Sequence, residues 1–416
     1  MGRRRWRPGL RVLLLIAIAV VTGGGSKGEW SEEEQLTFLR SYWQLPIPLQ
    51  GKAPDRFSPL EASLDPESCG VCHQKQYEEW KTSLHAKTMG PGPFGQTVDL
   101  IESDQETALI CYSCHAPLTE QQEKHRIKMP QGELTLVDNP SFDQKLQRKG
   151  LVCAACHVRQ HERFGPPKRD GTLASTLPRD QLPHNGVTRT PAFLRAEFCK
   201  ECHQFPEDGY ALNGKLLENT YNEWRASPYA KEGIQCQDCH MPDRKHLFRG
   251  IHDPEMVKKG VTIQLKTSKP RYRVGETILA ALTVENTGVG HSFPTYVTPK
   301  VFIRAELIDP TGHPVPESVQ EEVIGREVTL DLSREISDTR IPPKGTYTFK
   351  YAKKIDRRNL RLKVSVVVFP DYFYTRFFEA VLSGDQFVKG RKLLEEALEE
   401  TRRSPFTIFE KEVLIS

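Results

Sequence analysis

Apolar positions along this chain change their rhythm three times. An apolar run from Val12 to Val21 follows Arg3, Arg4, Arg5, Arg7 and Arg11 and leads into small residues around Gly23 to Ser26. That order of basic, apolar and small residues predicts a secretory signal over residues 1–25, because the run is too short for a spanning helix. Between Glu32 and Trp43, the residues Leu36, Leu39 and Trp43 recur at helical spacing with Phe38 at the edge of their face. This predicts a short amphipathic helix. Pro46 to Pro59 then reads as extended linker or wrapping strand, so residues 26–60 form an N-terminal segment.

After Pro254 the rhythm becomes alternation. Val261 to Leu265, Ile278 to Val284, Val301 to Leu307, Tyr347 to Tyr351 and Leu362 to Phe369 read as half-buried strands. Turn chemistry separates them at Asp309–Gly312 and Pro342–Gly345. Residues 258–375 are therefore expected to form an all-β sandwich of immunoglobulin-like type. From Phe377 the spacing turns helical, with Leu393, Leu394, Ala397 and Leu398 on one face and Ser404-Pro405 as the stop. Phe406 to Ile415 alternates again, so residues 376–416 read as a short helix followed by a strand.

Charge narrows the partners. Lys plus Arg number 58 against 54 Asp plus Glu, and five of the arginines precede the signal's apolar run. Without them the chain is near −1, which gives no electrostatic footprint for nucleic acid. At 416 residues two or three domains are expected, yet only 38% of residues are hydrophobic, lean for a large core.

Residues 61–257 carry the chemistry. All ten cysteines fall in five copies of CxxCH: Cys69, Cys72 and His73; Cys111, Cys114 and His115; Cys153, Cys156 and His157; Cys199, Cys202 and His203; Cys236, Cys239 and His240. Chance would place a histidine after all five pairs about 3 times in 10⁸. A zinc site closes with four ligands and needs no such histidine, and a disulfide within CxxC is strained. Haem c supplies the reason: the two thiols attach the macrocycle and the next imidazole is its proximal iron ligand. Five covalently attached haems are expected, supplying the apolar contact that the sequence lacks. The first cysteines are 42, 42, 46 and 37 residues apart, but the intervening residues share little pattern. Irregular helices and loops around the haems are expected rather than a solenoid. One internal repeat exists: Tyr77 to Lys87 matches Tyr221 to Lys231, with Tyr229 where the first copy has His85.

The strings SCGVCHQKQYEEWKTSLHAK, KHLFRGIHDPEM and GHSFPT, with CHMP ending at Pro242, resemble the multihaem cytochrome c superfamily. That superfamily includes hydroxylamine oxidoreductase and the tetrahaem carrier of ammonia oxidisers. More narrowly, the chain is similar to pentahaem cytochromes in which an immunoglobulin-like domain follows the haem domain. The resemblance implies that His85, in WxxSxH, is a distal ligand to a neighbouring haem. Subtracting the five proximal histidines from 13 leaves eight. Of these His85, His161, His184, His246, His252 and His291 are the distal candidates, and five would suffice for complete bis-His ligation. His125, in a charged run, and His313, in a turn, read as solvated, and Met241 as a packing residue.

The expectation is an exported, periplasmic or cell-surface pentahaem cytochrome that carries electrons between redox partner proteins, other cytochromes or membrane quinol oxidases. The chain lacks the CxxCK variant of ammonia-forming nitrite reductases, which favours a carrier over an oxidoreductase with its own substrate. Two alternatives stay open: a reductase of a small nitrogen or sulfur compound at one open haem, and a docking subunit of a larger redox complex. If one haem differs, the tyrosine at position 229 points to those around residues 221–240.

Overall fold

Ser31 and Glu34 close a reciprocal capping box ahead of the helix Glu32–Tyr42, close to its expected span. Tyr42 packs its ring among Phe38, Phe164, Phe193 and Phe198. The Pro-rich stretch behind it is a wrap: Ile47 is fully buried and bridges in parallel to Leu118. This computed structural model describes residues 30–129 and 133–415. The expected signal over 1–25 lies outside the described residues.

Between Pro59 and Gly260 the chain forms short helices, loops and small ladders. No long apolar face exists to build a conventional helix bundle, and the local cores are correspondingly small. Leu39, Trp43, Leu118, Leu151, Val152 and Phe193 make one, and Met89, Leu109, Tyr112 and Ala116 another. A hairpin of Lys124–Lys128 with Leu134–Asp138 places His125 on a strand opposite Val137.

The C-terminal half has two larger antiparallel sheets and a two-stranded ladder of Arg326–Val328 with Glu335–Asp338. One runs Gln320–Ile324, Lys300–Ile308, Arg361–Phe369, Phe406–Leu414. The other runs Thr346–Lys354, Thr277–Asn286, Val261–Thr267. Successive side chains of a strand point to opposite faces, so the alternation read in the sequence becomes one shared core. Ile278, Leu282, Val284, Ile303, Leu307, Leu362, Val364 and Val366 meet there. The strand Gln320–Ile324 was not legible because QEE presents no apolar alternation.

Two helices, Tyr372–Leu382 and Arg391–Arg403, stand where one was expected. Phe378, Leu394, Ala397 and Leu398 form their contact. They lie back on the helix Pro91–Ser103, whose Gly92 and Gly95 leave room for Phe378 and Leu394. The final strand does not stand apart: Phe406–Leu414 completes the larger sheet.

A buried cation ties the two halves together. Arg326 is 1% exposed, pairs with Glu335 at 2.8 Å and donates to the carbonyls of Leu212, Lys215 and Leu216. Five N–H groups in a fixed fork suit it to collecting several carbonyls at once. Glu223 reinforces the joint by accepting from Arg340 and from the backbone N–H of Ser292. Among the described residues no helix is long and apolar enough to cross a membrane.

Candidate haem-attachment sites

Each CxxCH ends or forms a helical turn: Pro66–Gly70 leads into the first, and Gln105–His115, Cys153–His157, Glu197–His203 and Cys236–His240 carry the others. Residues i, i+3 and i+4 share a helix face. Both thiols and the imidazole of each helical motif therefore point the same way. None of the ten cysteines forms a disulfide.

Three histidine pairs oppose each other. The ring centroids of His85 and His203 are 6.2 Å apart, those of His157 and His246 6.2 Å, and those of His240 and His291 6.3 Å. A metal–nitrogen bond of about 2 Å plus roughly 1.1 Å to the ring centre, taken twice, gives about 6.2 Å between two imidazoles on one iron. The pairs fit bis-imidazole ligation. Hydrogen bonding agrees with that. A ligating histidine typically gives its other ring N–H to a carbonyl or similar group, which fixes the tautomer. Nδ1 of His115 faces the carbonyl of Thr88 at 2.7 Å, that of His157 Phe164 at 2.8 Å, and that of His240 Arg249 at 2.6 Å. His203 uses the hydroxyl of Tyr296 at 2.8 Å. On the opposing side, His184, His246 and His291 bond the carbonyls of Gly186, Arg244 and Ser292 through the same nitrogen.

Burial pushes the imidazole of His85 down to about 3 and those of His157, His203 and His291 to about 4. A neutral ring is the form that ligates iron. Yet His203 is solvent-accessible and the other three are half-buried. Rings deep in the fold with open surface line an internal space, as residues around a macrocycle must.

The six distal candidates separate on this geometry. His85, His246 and His291 face histidines of CxxCH motifs. His184 lies within electrostatic range of His73, its loop turned by left-handed backbone at His184 (φ 43°) and Asn185 (φ 63°). His161 instead spends Nε2 on the carbonyl of Gly51 at 3.0 Å, beside a cleft shared with Arg56, Arg179 and Asn185. His252 spends Nε2 on both carboxylate oxygens of Asp371 at 3.0 Å. His125 lies on its hairpin and His313 bonds Thr311. Among the described residues, no ring contact places a second imidazole opposite His115.

Electrostatic contacts order the motifs. Cys69 interacts with Cys153, Cys156 with both Cys199 and Cys202, Cys199 with Cys236, and Cys114 with Cys202. The first, third, fourth and fifth motifs thus form a row, with the second beside the fourth.

Sequence reasoning missed several supporting residues. Trp80 and Trp224 donate their indole N–H to the carbonyls of Leu151 and Ile234, each two residues before a CxxCH, at 2.9 Å. The internal repeat was the available signal. Phe248 packs on His85 at 4.3 Å and on His246 at 5.9 Å. Tyr296, which meets His203, carries no sequence mark.

Comparison with known proteins agrees with this picture. The family described as cytochrome c554 and c-prime matches residues 68–138. Cytochrome c-552 of Aliarcobacter butzleri (strain RM4018) is 27% identical over 138 residues, 32% of this chain and 26% of that protein. The match thus spans about a quarter of the relative's length. The crystal structure of a penta-heme cytochrome c552 from Thermochromatium tepidum superposes with a TM-score of 0.55 at 16% identity, covering 86% of this chain and 100% of that one. At such identity the likeness is one of fold. The family match over residues 68–138, the partial relative and the shared fold agree in likeness to multihaem c-type cytochromes.

Proposed function

We propose that this protein is an exported pentahaem electron carrier, with haem c attached at Cys69/Cys72, Cys111/Cys114, Cys153/Cys156, Cys199/Cys202 and Cys236/Cys239. The carrying observation is the set of three opposed imidazole pairs at 6.2 to 6.3 Å. His73, His115, His157, His203 and His240 serve as proximal ligands. His184, His246, His85 and His291 serve opposite the first, third, fourth and fifth of these. When bound, haem c supplies one-electron iron couples at sites whose row runs from the first motif to the fifth. The residues around them hold the rings neutral, fix their tautomers through backbone carbonyls and limit water. Cys72 and Cys239 are exposed, which favours the two ends of the row as faces toward redox partners, other cytochromes or membrane quinol oxidases.

The sandwich supports an immunoglobulin-like reading. Val261–Thr267, Thr277–Asn286 and Thr346–Lys354 share one sheet, and Lys300–Ile308, Gln320–Ile324, Arg361–Phe369 and Phe406–Leu414 share the other. It is a delivery platform for His291 as well as a docking surface. Kinship with the tetrahaem carrier of ammonia oxidisers and with hydroxylamine oxidoreductase rests on the motif strings alone.

A second reading, an oxidoreductase at one open haem, is favoured by His115, which faces no second imidazole. Electron paramagnetic resonance on the oxidised holoprotein, with the haem number counted by mass, tests both. Five haems, with low-spin signals dominant, are expected for the carrier. Loss of the low-spin signals from the third, fourth and fifth motifs would overturn it.

A further inference from the structure

One dipeptide recurs at the same place in both copies of the internal repeat: Glu79-Trp80 closes the helix Gln74–Trp80, and Glu223-Trp224 lies in the helix Thr220–Arg225. Successive residues on a helix point about 100° apart, so the two side chains of each pair reach different neighbours. The indoles take one side. Trp80 bonds the carbonyl of Leu151 ahead of the third motif, and Trp224 that of Ile234 ahead of the fifth.

The carboxylates take the other side of the same two sites. Oε2 of Glu79 accepts the backbone N–H of His246 at 2.8 Å, and the His246 ring opposes His157 of the third motif. Oε2 of Glu223 accepts the N–H of Ser292 at 3.1 Å, beside His291, whose ring opposes His240 of the fifth motif. These partners lie 167 and 69 residues along the chain, so sequence proximity does not produce the coincidence. His85 is the contrast: it follows Glu79 within the first copy, yet neither carboxylate bonds it.

Holding the backbone holds the ring. His246 and His291 both sit on loops, outside helices and strands. The peptide unit that joins His291 to Ser292 is fixed at both ends, its N–H by Glu223 and its carbonyl by Nδ2 of the fully buried Asn286 at 3.0 Å. Nδ1 of His246 meets the Arg244 carbonyl at 3.2 Å, so its amide and its ring are both tied. An ionised acceptor makes a hydrogen bond roughly twice as strong as a neutral one, which suits a carboxylate to fixing an amide on a loop.

We propose that Glu79 and Glu223 are positioning residues and that each Glu-Trp pair clamps one haem site from both sides. The tryptophan holds the segment leading to the thiols and their imidazole, and the glutamate holds the segment bearing the opposing imidazole. The first copy serves the third motif and the second copy the fifth. This rests on the bis-imidazole reading above and adds the residues that fix the distal rings. Both imidazoles of one pair are then referenced to a single helix, so their spacing does not depend on two independent loops.

The test uses the full oxidised holoprotein and paramagnetic resonance, with each low-spin signal assigned by the His85→Ala, His246→Ala and His291→Ala variants. Glu79→Ala should shift or partly lose the signal that depends on His246 and leave the other two unchanged. Glu223→Ala should do the same to the signal that depends on His291. Glu79→Gln keeps an oxygen acceptor for the His246 amide and should restore the wild-type spectrum. Unchanged spectra in both alanine variants would overturn the clamp and leave bis-imidazole ligation standing. Equal damage to the His85 and His246 signals in Glu79→Ala would also overturn it, by reducing the carboxylate to a general support of its helix. If His246→Ala and His291→Ala convert no iron from low-spin to high-spin, the ligation reading itself falls. Should an alanine variant fail to load its haems, amide exchange in the wild type decides. The N–H groups of His246 and Ser292 should exchange at least about a hundredfold more slowly than in the unfolded chain, and exchange at the unfolded rate overturns the clamp.

Discussion

The two copies of the internal repeat do the same structural work and then part. In both, a tryptophan indole pins the backbone two residues before a CxxCH, Trp80 at Leu151 and Trp224 at Ile234. In both, a serine four residues before the copy's end caps the following turn or closes the helix: Ser83 donates to the Trp80 carbonyl, and Ser227 accepts from the N–H of Ala230. The first copy then supplies His85, whose ring opposes His203. The second supplies Tyr229, whose hydroxyl reaches the carbonyl of Thr287 at 2.6 Å and receives Lys344 at 2.8 Å. Thr287 opens the loop that carries His291 onto His240. One copy thus contributes an imidazole directly, whereas the other anchors a loop of the β sandwich that contributes it. A haem motif in the second case depends on a domain contact, and the first does not.

The sharpest way to break this comparison is to remove each imidazole. His85→Ala and His291→Ala should each convert one low-spin haem to high-spin, read by paramagnetic resonance. The remaining signals should be unchanged in both. If His291→Ala left the low-spin count intact, the sandwich would lose its assigned role.

Next in size is the joint on which only the second copy relies. Arg326→Ala strips a buried guanidinium from Glu335 and three carbonyls. Breaking a buried pair typically costs about 3–5 kcal/mol. Thermal unfolding should show that loss. Partial high-spin character should appear in the same place as in His291→Ala, while the signal lost in His85→Ala should persist. Equal loss of both would mean that the two copies share one dependence.

How much of this could be read beforehand follows from where the information is local. CxxCH is complete within five residues, so the motif could be read at every copy, and each copy ends or forms a helical turn. The sandwich strands were legible because burial on one face forces alternation, as in Val301 to Leu307. Gln320–Ile324 escaped because its face is set by neighbours in the sheet and not by its own residues. The opposing histidines were visible only as a pool. His161 and His252 resembled His184 and His246 in sequence, and what separates them is which ring nitrogen is already occupied, by Gly51 and Asp371. Tyr229 raises a related point. Where it stands in place of histidine, its hydroxyl reaches the carbonyl of Thr287, 58 residues on, at the start of the loop that carries His291, a contact that no local pattern encodes.

Smaller effects separate shared from divergent work. Trp80→Phe and Trp224→Phe each remove one indole donor and should each cost about 1 kcal/mol. Similar values in chemical denaturation would support an equivalent pinning role, whereas a cost confined to one copy would reduce the repeat to a likeness of sequence.

The smallest expected effect is also the most specific to the comparison. Tyr229→Phe keeps the ring over which the Lys344 ammonium lies at 4.5 Å and removes only the hydroxyl. It deletes the bond to Thr287, but Lys344 also donates to the Thr287 carbonyl at 3.0 Å, so that acceptor keeps one partner. The cost should therefore lie near the lower end for a hydrogen bond, about 0.5 kcal/mol. Ligation at His240 should survive, because Ser292 and Arg340 still tether the loop through Glu223. Tyr229→Phe combined with Glu223→Gln should instead exceed the sum of the two single losses, since both act on the segment that positions one imidazole. Strict additivity, with the His291 signal unchanged, would show that the loop is held by the sandwich alone and that the second copy no longer takes part in delivering its histidine.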